Sequence, residues 1–260
     1  MAGVGIEVAG LAKRLRDTQA LRDVTTTFDA AKLHGIIGPD GAGKTTLLRL
    51  LVGLLKPDAG RIVFTEGRRA VPFASVRPDM AYMPQQQSLY PDLSIDEHLE
   101  FFRELYRIPP RLYAARRARL LRLTRLEPFV ARAAGQLSGG MYKKLGLMCA
   151  LLQSPRVVLL DEPTNGVDPI SRREFWDLLY GLVGEGVLVI LSTSYMDEAE
   201  RCARVHLMES GALLASGEPR LVLARERVPS FEALFLRRGS APPRSFRVRG
   251  NSAAPASGAP

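Results

Sequence analysis

The chain has few cysteines, few histidines and no long apolar run, and each shortage removes a class of protein. Two cysteines in 260 residues, Cys149 and Cys202, cannot build a disulfide framework and do not stand at metal-ligand spacing. A reducing cytosol is the expected setting. No apolar stretch approaches the ~20 residues that a membrane span requires, so any link to a membrane has to pass through another protein. The first ten residues lack a basic segment followed by an apolar one, the pattern of a signal peptide. Acidic residues are outnumbered, 27 against 36 basic, giving a formal net charge of +9 and a pI of about 9.9. Such a balance suits an anionic partner, whether nucleotide, nucleic acid or membrane surface. An arginine-rich proteome explains it as well, because the arginines are scattered.

What is present begins with an apolar content of 46%, enough for a real core. The length fits one large domain, or one domain with a subdomain. The organising stretch is GPDGAGKTT at residues 38–46. An apolar segment with Leu33, Ile36 and Ile37 precedes it, and the leucines Leu47, Leu48, Leu50, Leu51 and Leu54 follow. This is the strand, glycine loop and helix order of a P-loop. Gly38, Pro39, Asp40, Gly41, Ala42 and Gly43 would turn backbone N–H groups toward phosphate oxygens at the positive end of a helix dipole. Lys44 would pair with the β- and γ-phosphates, the Thr45 hydroxyl would ligate Mg²⁺, and Thr46 completes the motif. ATP with Mg²⁺ is the expected ligand.

Alternation at Ile6 and Val8, then at Val24, Thr26 and Phe28, predicts strands, with a turn at residues 29–31. Pro57, Asp58 and Gly60 make a turn before a strand with Ile62 and Phe64. These short strands suggest a small antiparallel sheet beside the core. Residues 66–78 read as a charged, proline-containing excursion. A strand at residues 80–83 ends at Pro84 and three glutamines. Ser94 and Glu97 form a capping box, with Ile95, Leu99, Phe102 and Tyr106 on one helical face. Pro109 and Pro110 interrupt, and an arginine-dense helix runs to about Arg125. There Arg116, Arg117, Arg119 and Arg122 read as a solvated face. Residues from about 88 to 153 look like a helical insertion.

A loop at residues 135–140 leads into a helix that buries Leu145, Met148, Cys149 and Leu152, which makes Cys149 core packing. An apolar strand covers residues 157–160. Ser171 and Glu174 read as a second capping box, with Phe175, Leu178, Leu179 and Leu182 behind it. Further strands are predicted at residues 187–191 and 205–208. Strands alternating with helices argue for a largely parallel sheet. From Gly239 onward Pro, Ser, Ala and Arg prevail, so 1–238 is expected to be the folded domain and 239–260 a disordered basic tail.

The second decisive element is QLSGGM at residues 136–141, followed by VVLLDEPTNGVDP at 157–169. With the P-loop, these resemble the ATP-binding subunits of ABC transporters over roughly residues 4–238. The resemblance implies a P-loop α/β core of ABC type with an antiparallel β subdomain and an inserted helical subdomain. Asp161, at the end of an apolar strand, would hold Mg²⁺, and Glu162 would act as general base on the attacking water. Ser138, Gly139 and Gly140 form an anion site at a helix start, which in the family closes on the nucleotide of a second subunit. Gln85 matches a glutamine that touches Mg²⁺ and water and senses the membrane subunit. Its register against Gln86 and Gln87 is open by one residue. Asp168 matches an aspartate that communicates across the dimer.

Two positions depart from the pattern. Leu15 stands where the family usually stacks an aromatic on adenine, a difference of about 1–3 kcal/mol. In VILSTSYMDEAE, residues 189–200, Ser194 occupies the place of the switch histidine. The chain's histidines are His34, His98 and His206, none of them nearby in sequence. Lacking a positioned imidazole, the site is expected to bind ATP yet hydrolyse it weakly. GPDG together with STSYMDEAE is similar to the first, degenerate half of tandem ATPase subunits in bacterial drug-exporter-like ABC systems. That resemblance implies a membrane permease as partner and a second ABC ATP-binding domain, a heterodimer being favoured and a homodimer the alternative. It also implies a position on the cytoplasmic face of the membrane. The competing readings are a regulatory, nearly non-hydrolysing ATP-binding subunit and an ATPase acting on ribosomes or DNA, although no nucleic acid is expected.

Overall fold

Strands buried on both faces form the middle of the molecule. The structure, a computed structural model, describes residues 3–86 and 89–239. The chain opens with β1 (Val4–Leu15), β2 (Thr18–Phe28), β3 (Leu33–Ile37) and α1 (Lys44–Leu51). It continues through β4 (Ala59–Glu66), β5 (Arg69–Val71), α2 (Phe73–Val76) and β6 (Met80–Met83). Then come α3 (Ile95–Leu105), α4 (Pro110–Thr124), α5 (Gly139–Leu151), β7 (Val157–Asp161), α6 (Pro169–Gly184) and β8 (Leu188–Thr193). It closes with β9 (Arg204–Glu209), β10 (Ala212–Gly217), α7 (Pro219–Glu226) and α8 (Phe231–Gly239).

One sheet is antiparallel, in the order β2-β1-β4-β5. The other runs β10-β9-β3-β8-β7-β6, parallel except for the β9–β10 hairpin. Because side chains alternate along a strand, each central strand feeds two cores. Val157, Leu159, Leu188, Ile190 and Ile36 join α1 and the antiparallel sheet. Val158, Leu160, Val189, Leu191 and Ile37 join the helices on the opposite face. The continuous apolar runs of β7 and β8 are thus those of parallel strands covered on both sides. The α/β P-loop architecture, its antiparallel sheet and its inserted helices are as the sequence implies.

Ser94 and Glu97 do form a reciprocal capping box at the start of α3, and Cys149 is buried with its thiol pushed up to about 12 by desolvation. Four local expectations need correction. The helix after the P-loop stops at Leu51, because Val52 caps it, and Leu54 is 62% exposed. The cap of α6 is Asp168, which accepts from the Ser171 N–H at 2.9 Å. Ser171 is therefore a third helical residue rather than a cap, and Glu174 pairs with Lys144 and Arg125 instead. The arginines of α4 are not simply solvated. Arg116 donates to the Leu152 carbonyl at 3.0 Å, and Arg117 to Asp96 at 2.6 Å, while Arg119 pairs with Glu185. Only Arg122 of the four is exposed. The excursion at 66–78 contains β5 and α2, and β10, α7 and α8 had no clear pattern in sequence. The expected disordered tail, apart from Gly239 at the end of α8, lies outside the described residues, as does Gln87.

Two buried histidines bridge the sheets. His34 Nε2 lies 3.2 Å from the Asp29 carbonyl, its Nδ1 lies 3.0 Å from His206 Nε2, and His206 Nδ1 lies 2.8 Å from Thr26 Oγ1. A carbonyl only accepts, so His34 donates from Nε2. His206 must then donate to His34, and Thr26 to His206. With both rings neutral this direction satisfies every ring nitrogen of the pair, and a proton added to His34 would reverse it and leave a charge in the core. Burial, opposed by the Asp29 carbonyl and carboxylate and helped by Arg204 and Lys32, lowers His34 to about 4. His206 is also lowered, by burial first and then by His34 and Arg204. Unfolded histidine takes a proton near 6.5. His34 therefore supports the fold fully above that pH and loses its contribution as pH falls toward 4, about 3 kcal/mol in all. Urea unfolding at pH 7.5 and pH 4.5 should show a smaller acid loss for His34→Gln than for the unaltered chain. Equal losses would exclude His34 as a cause.

Candidate functional site

Three parallel strands end level with one another. Ile37 on β3 pairs with Thr193 on β8, and Asp161 on β7 pairs with Ser192. The segments leaving these strands meet at the carboxyl edge of the sheet, where open α/β sheets form their crevice.

The loop after β3 requires glycine at two points for different reasons. A Cβ on Gly38 would lie 2.2 Å from the Met208 carbonyl oxygen. Gly43 has a φ of 99°, and a Cβ there would sit 2.5 Å from the Ala20 carbonyl. Between them, the Ala42 N–H donates to the Pro39 carbonyl at 3.2 Å, leaving Asp40 and Gly41 exposed at the tip. Gly43 caps α1 with no side chain, so the first-turn N–H groups have no side-chain acceptor. A helix start in this condition is an anion site. Thr46 is buried beneath it.

Lys44 is buried. Its Nζ donates to the Gly38 and Pro39 carbonyls at 2.8 and 3.1 Å and lies 3.0 Å from Glu162 Oε1. The Thr45 hydroxyl donates to Asp161 Oδ1 at 3.0 Å, and Ser192 donates to the same oxygen at 2.6 Å. Tyr82 donates to Asp161 Oδ2 at 3.2 Å, and burial beside that carboxylate raises the tyrosine. Glu162 has a φ of 50°, a left-handed conformation that costs a non-glycine residue about 1–3 kcal/mol. Its N–H is held by the Ser192 carbonyl at 3.2 Å and the Ser192 hydroxyl at 2.9 Å, and Ser194 Oγ is 3.3 Å from its Oε2.

Lys44, Thr45, Asp161, Glu162 and Ser194 are thus brought together. None of Ser138, Gly139, Gly140, Asp168, Gln85 and Leu15 bonds to these five side chains. Ser138 is an exposed cap that accepts from the Met141 N–H at 3.3 Å at the head of α5. Gly139 is exposed, and Gly140 has no room for a Cβ, which would meet Ser171 at 2.5 Å. Asp168 is exposed at the head of α6, and the Ser171 N–H holds its carboxyl below the usual range. Gln85 is exposed, and its carbonyl accepts from Lys143 at 3.0 Å. Leu15 ends β1, paired with Thr18 and 38% exposed. Sequence reasoning missed Ser192, Tyr82 and Lys143. Ser192 had a usable signal, a polar residue ending an apolar strand, the same pattern that marked Asp161.

The oxygens of Thr45, Asp161 and Ser192 suit a small hard cation. Among the described residues no group of three or more His, Cys, Asp or Glu is placed to hold a metal. Such a cation would therefore share its shell with water or substrate, as Mg²⁺ commonly does.

A model of the ABC transporter family matches residues 21–165. The chain belongs to the ABC transporter family. It is 47% identical over 223 residues to the Escherichia coli protein named "Probable multidrug ABC transporter ATP-binding protein YbhF", covering 83% of this chain and 38% of that one. The chain thus spans well under half of that relative. It is 39% identical over 219 residues to "Daunorubicin resistance ATP-binding protein DrrA3" of Streptomyces coeruleorubidus, covering 84% and 69%. A solved structure titled "Structure of ATP binding subunit of ABC transporter" superposes with a TM-score of 0.77 at 29% identity, covering 89% of this chain and 98% of that one. Among the described residues, no helix is long and apolar enough to cross a membrane.

Ser192→Ala should lower the unfolding free energy by about 1–3 kcal/mol, because Asp161 and the Glu162 N–H each lose a buried partner. Urea denaturation measures it.

Proposed function

We infer that the chain is the ATP-binding, energy-coupling subunit of an exporter-type ABC transporter. The observation that carries this reading is the convergence of a buried lysine and two buried acids beneath an uncapped helix start. The α1 N–H groups and Lys44 would bind the phosphates. Thr45 and Asp161 would hold Mg²⁺, with Gln85 as a further contact, and the ion would neutralise charge developing on the transferred phosphoryl group. In the present arrangement Lys44 is spent on Glu162. A phosphate chain competing for Lys44 would release that carboxylate to accept a proton from water as general base.

The exposed Ser138 and Gly139 at the head of α5, with the buried Gly140 behind them, and the exposed Asp168 at the head of α6 would serve a facing cassette rather than this chain's own loop. Residues 1–238 would form the cassette. Two cassettes would sandwich ATP and pass their closure to membrane permease subunits at the cytoplasmic face, near Gln85. The names of the relatives support export of drug-like molecules.

A weakly hydrolysing subunit paired with an intact ATPase is the second reading, and one observation favours it. Ser194 reaches Glu162 with a hydroxyl only, and all three histidines are committed elsewhere. His34 and His206 bind each other, while His98 binds the Ser94 carbonyl and the Tyr90 N–H.

The purified chain should retain Mg-ATP, and Lys44→Ala should weaken retention by about tenfold or more. Glu162→Gln should bind ATP yet lower turnover by about a hundredfold. Ser194→His should raise turnover if the serine limits it. Brisk hydrolysis by the unaltered chain, unchanged in Ser194→His, would reject the weak-hydrolysis reading.

A further inference from the structure

Ser194 is followed by Tyr195, whose side chain is held by two other parts of the chain. The guanidinium of Arg172, on α6, lies over its ring at 4.4 Å, and its hydroxyl donates to Asn165 Oδ1 at 3.3 Å. Its backbone N–H donates to Thr193 Oγ1 at 3.0 Å. The residue next to Ser194 is therefore clamped between the first turns of α6 and the loop that follows Glu162.

Arg172 itself is incompletely paired. Its nearest carboxylate oxygens are Asp197 Oδ2 at 3.9 Å and Glu198 Oε1 at 4.0 Å, and its buried Nε has no hydrogen-bond partner. Glu198 is fully buried. Its Oε1 accepts from Trp176 Nε1 at 3.3 Å, while Oε2 has no partner. The Glu198 carboxylate, with Oε2 unsatisfied, and the unsatisfied Arg172 Nε, 4.0 Å from its Oε1, carry a cost that a closer approach of the two groups would reduce. Two arrangements are available: Arg172 on the ring of Tyr195, as here, or drawn in to Glu198. Arg172 also sits one turn below Asp168, to whose carbonyl its own N–H donates at 2.9 Å. Beside that cap, Ile170 is 75% exposed.

We propose that Arg172 is a positioning residue that, through Tyr195, sets the distance between Ser194 and Glu162, and that it exchanges from Tyr195 toward Glu198 when nucleotide binds. The proposal rests on the ATP-binding reading given above. Arg172 touches no substrate. It fixes Tyr195, Tyr195 fixes Ser194, and Ser194 fixes the carboxylate beside Lys44. Exchange of Arg172 from Tyr195 toward Glu198 loosens this line and brings the guanidinium closer to the buried carboxylate.

The chain holds one tryptophan, Trp176, and its indole N–H is bonded to Glu198. Its fluorescence therefore reports the exchange directly. The full chain is titrated with Mg-ATP while bound nucleotide is measured by equilibrium dialysis and turnover by phosphate release. The expected result is a change in Trp176 emission that saturates with nucleotide binding. In Arg172→Leu this change should vanish and turnover should fall about tenfold, with ATP affinity altered less than about twofold. Arg172→Lys should restore part of both, and Tyr195→Phe, which keeps the ring, should stay nearer the unaltered chain than Arg172→Leu. A purely structural role would instead lower affinity, turnover and melting temperature together in every variant. Nucleotide bound with no change in Trp176 emission overturns the clamp alone. Absence of nucleotide binding overturns the ATP-binding reading and the clamp with it. Should Arg172→Leu not fold, Arg172→Lys and Tyr195→Phe decide, and unchanged turnover and emission in both would overturn the proposal.

Discussion

The level endings of β3, β8 and β7 are the constraint on which the site depends. Parallel pairing fixes strand positions relative to one another by backbone hydrogen bonds, and the pairings of Ile37 with Thr193 and Asp161 with Ser192 leave no freedom of register. A slip of one residue would exchange the side chains that each strand gives to the two cores and would carry Asp161 away from the edge where Thr45 and Ser192 meet it. The glycine loop and the carboxylates, more than a hundred residues apart in sequence, meet because three strands stop in line. The burial of these strands on both faces holds that line.

Polar groups at the site are under-satisfied in some places and strongly held in others, and the contrast follows their roles. Asp161 receives hydroxyls from Thr45, Ser192 and Tyr82, which orient a buried carboxylate without neutralising it. Glu162 instead pairs with Lys44 and adopts a strained left-handed backbone, a conformation secured by Ser192. The helix start above them has no side-chain cap. A carboxylate in strain, a lysine turned on it and N–H groups facing outward are groups arranged for another charge, in keeping with the observation that backbone strain gathers at functional sites.

A separate polar layer ties the two sheets together. His34, His206 and Thr26 form a one-directional hydrogen-bond chain between β3, β9 and β2. It joins the antiparallel sheet to the strand that delivers the glycine loop, and burial keeps both rings toward the neutral form. Buried polar networks of this kind favour one arrangement of the core over others because every member must be satisfied.

By itself the sequence determined the loop chemistry and the layered fold. Glycine spacing before Lys44, apolar runs before Asp161 and after Val187, and alternation in the first strands are local patterns, and local patterns follow from backbone sterics and side-chain period. The Ser94 capping box was legible for the same reason. The second box was misread because Ser171 and Glu174 have the right spacing while Asp168, three residues earlier, competes for the same N–H and wins. Only the tertiary structure decided which polar residues share the site. Ser192 and Tyr82 reach Asp161 across strands, Lys143 on α5 reaches Gln85 in the loop after β6, and Arg172 lies on Tyr195. These contacts join residues far apart in the chain, and no spacing within one segment encodes them, because they arise from how strands and helices are packed.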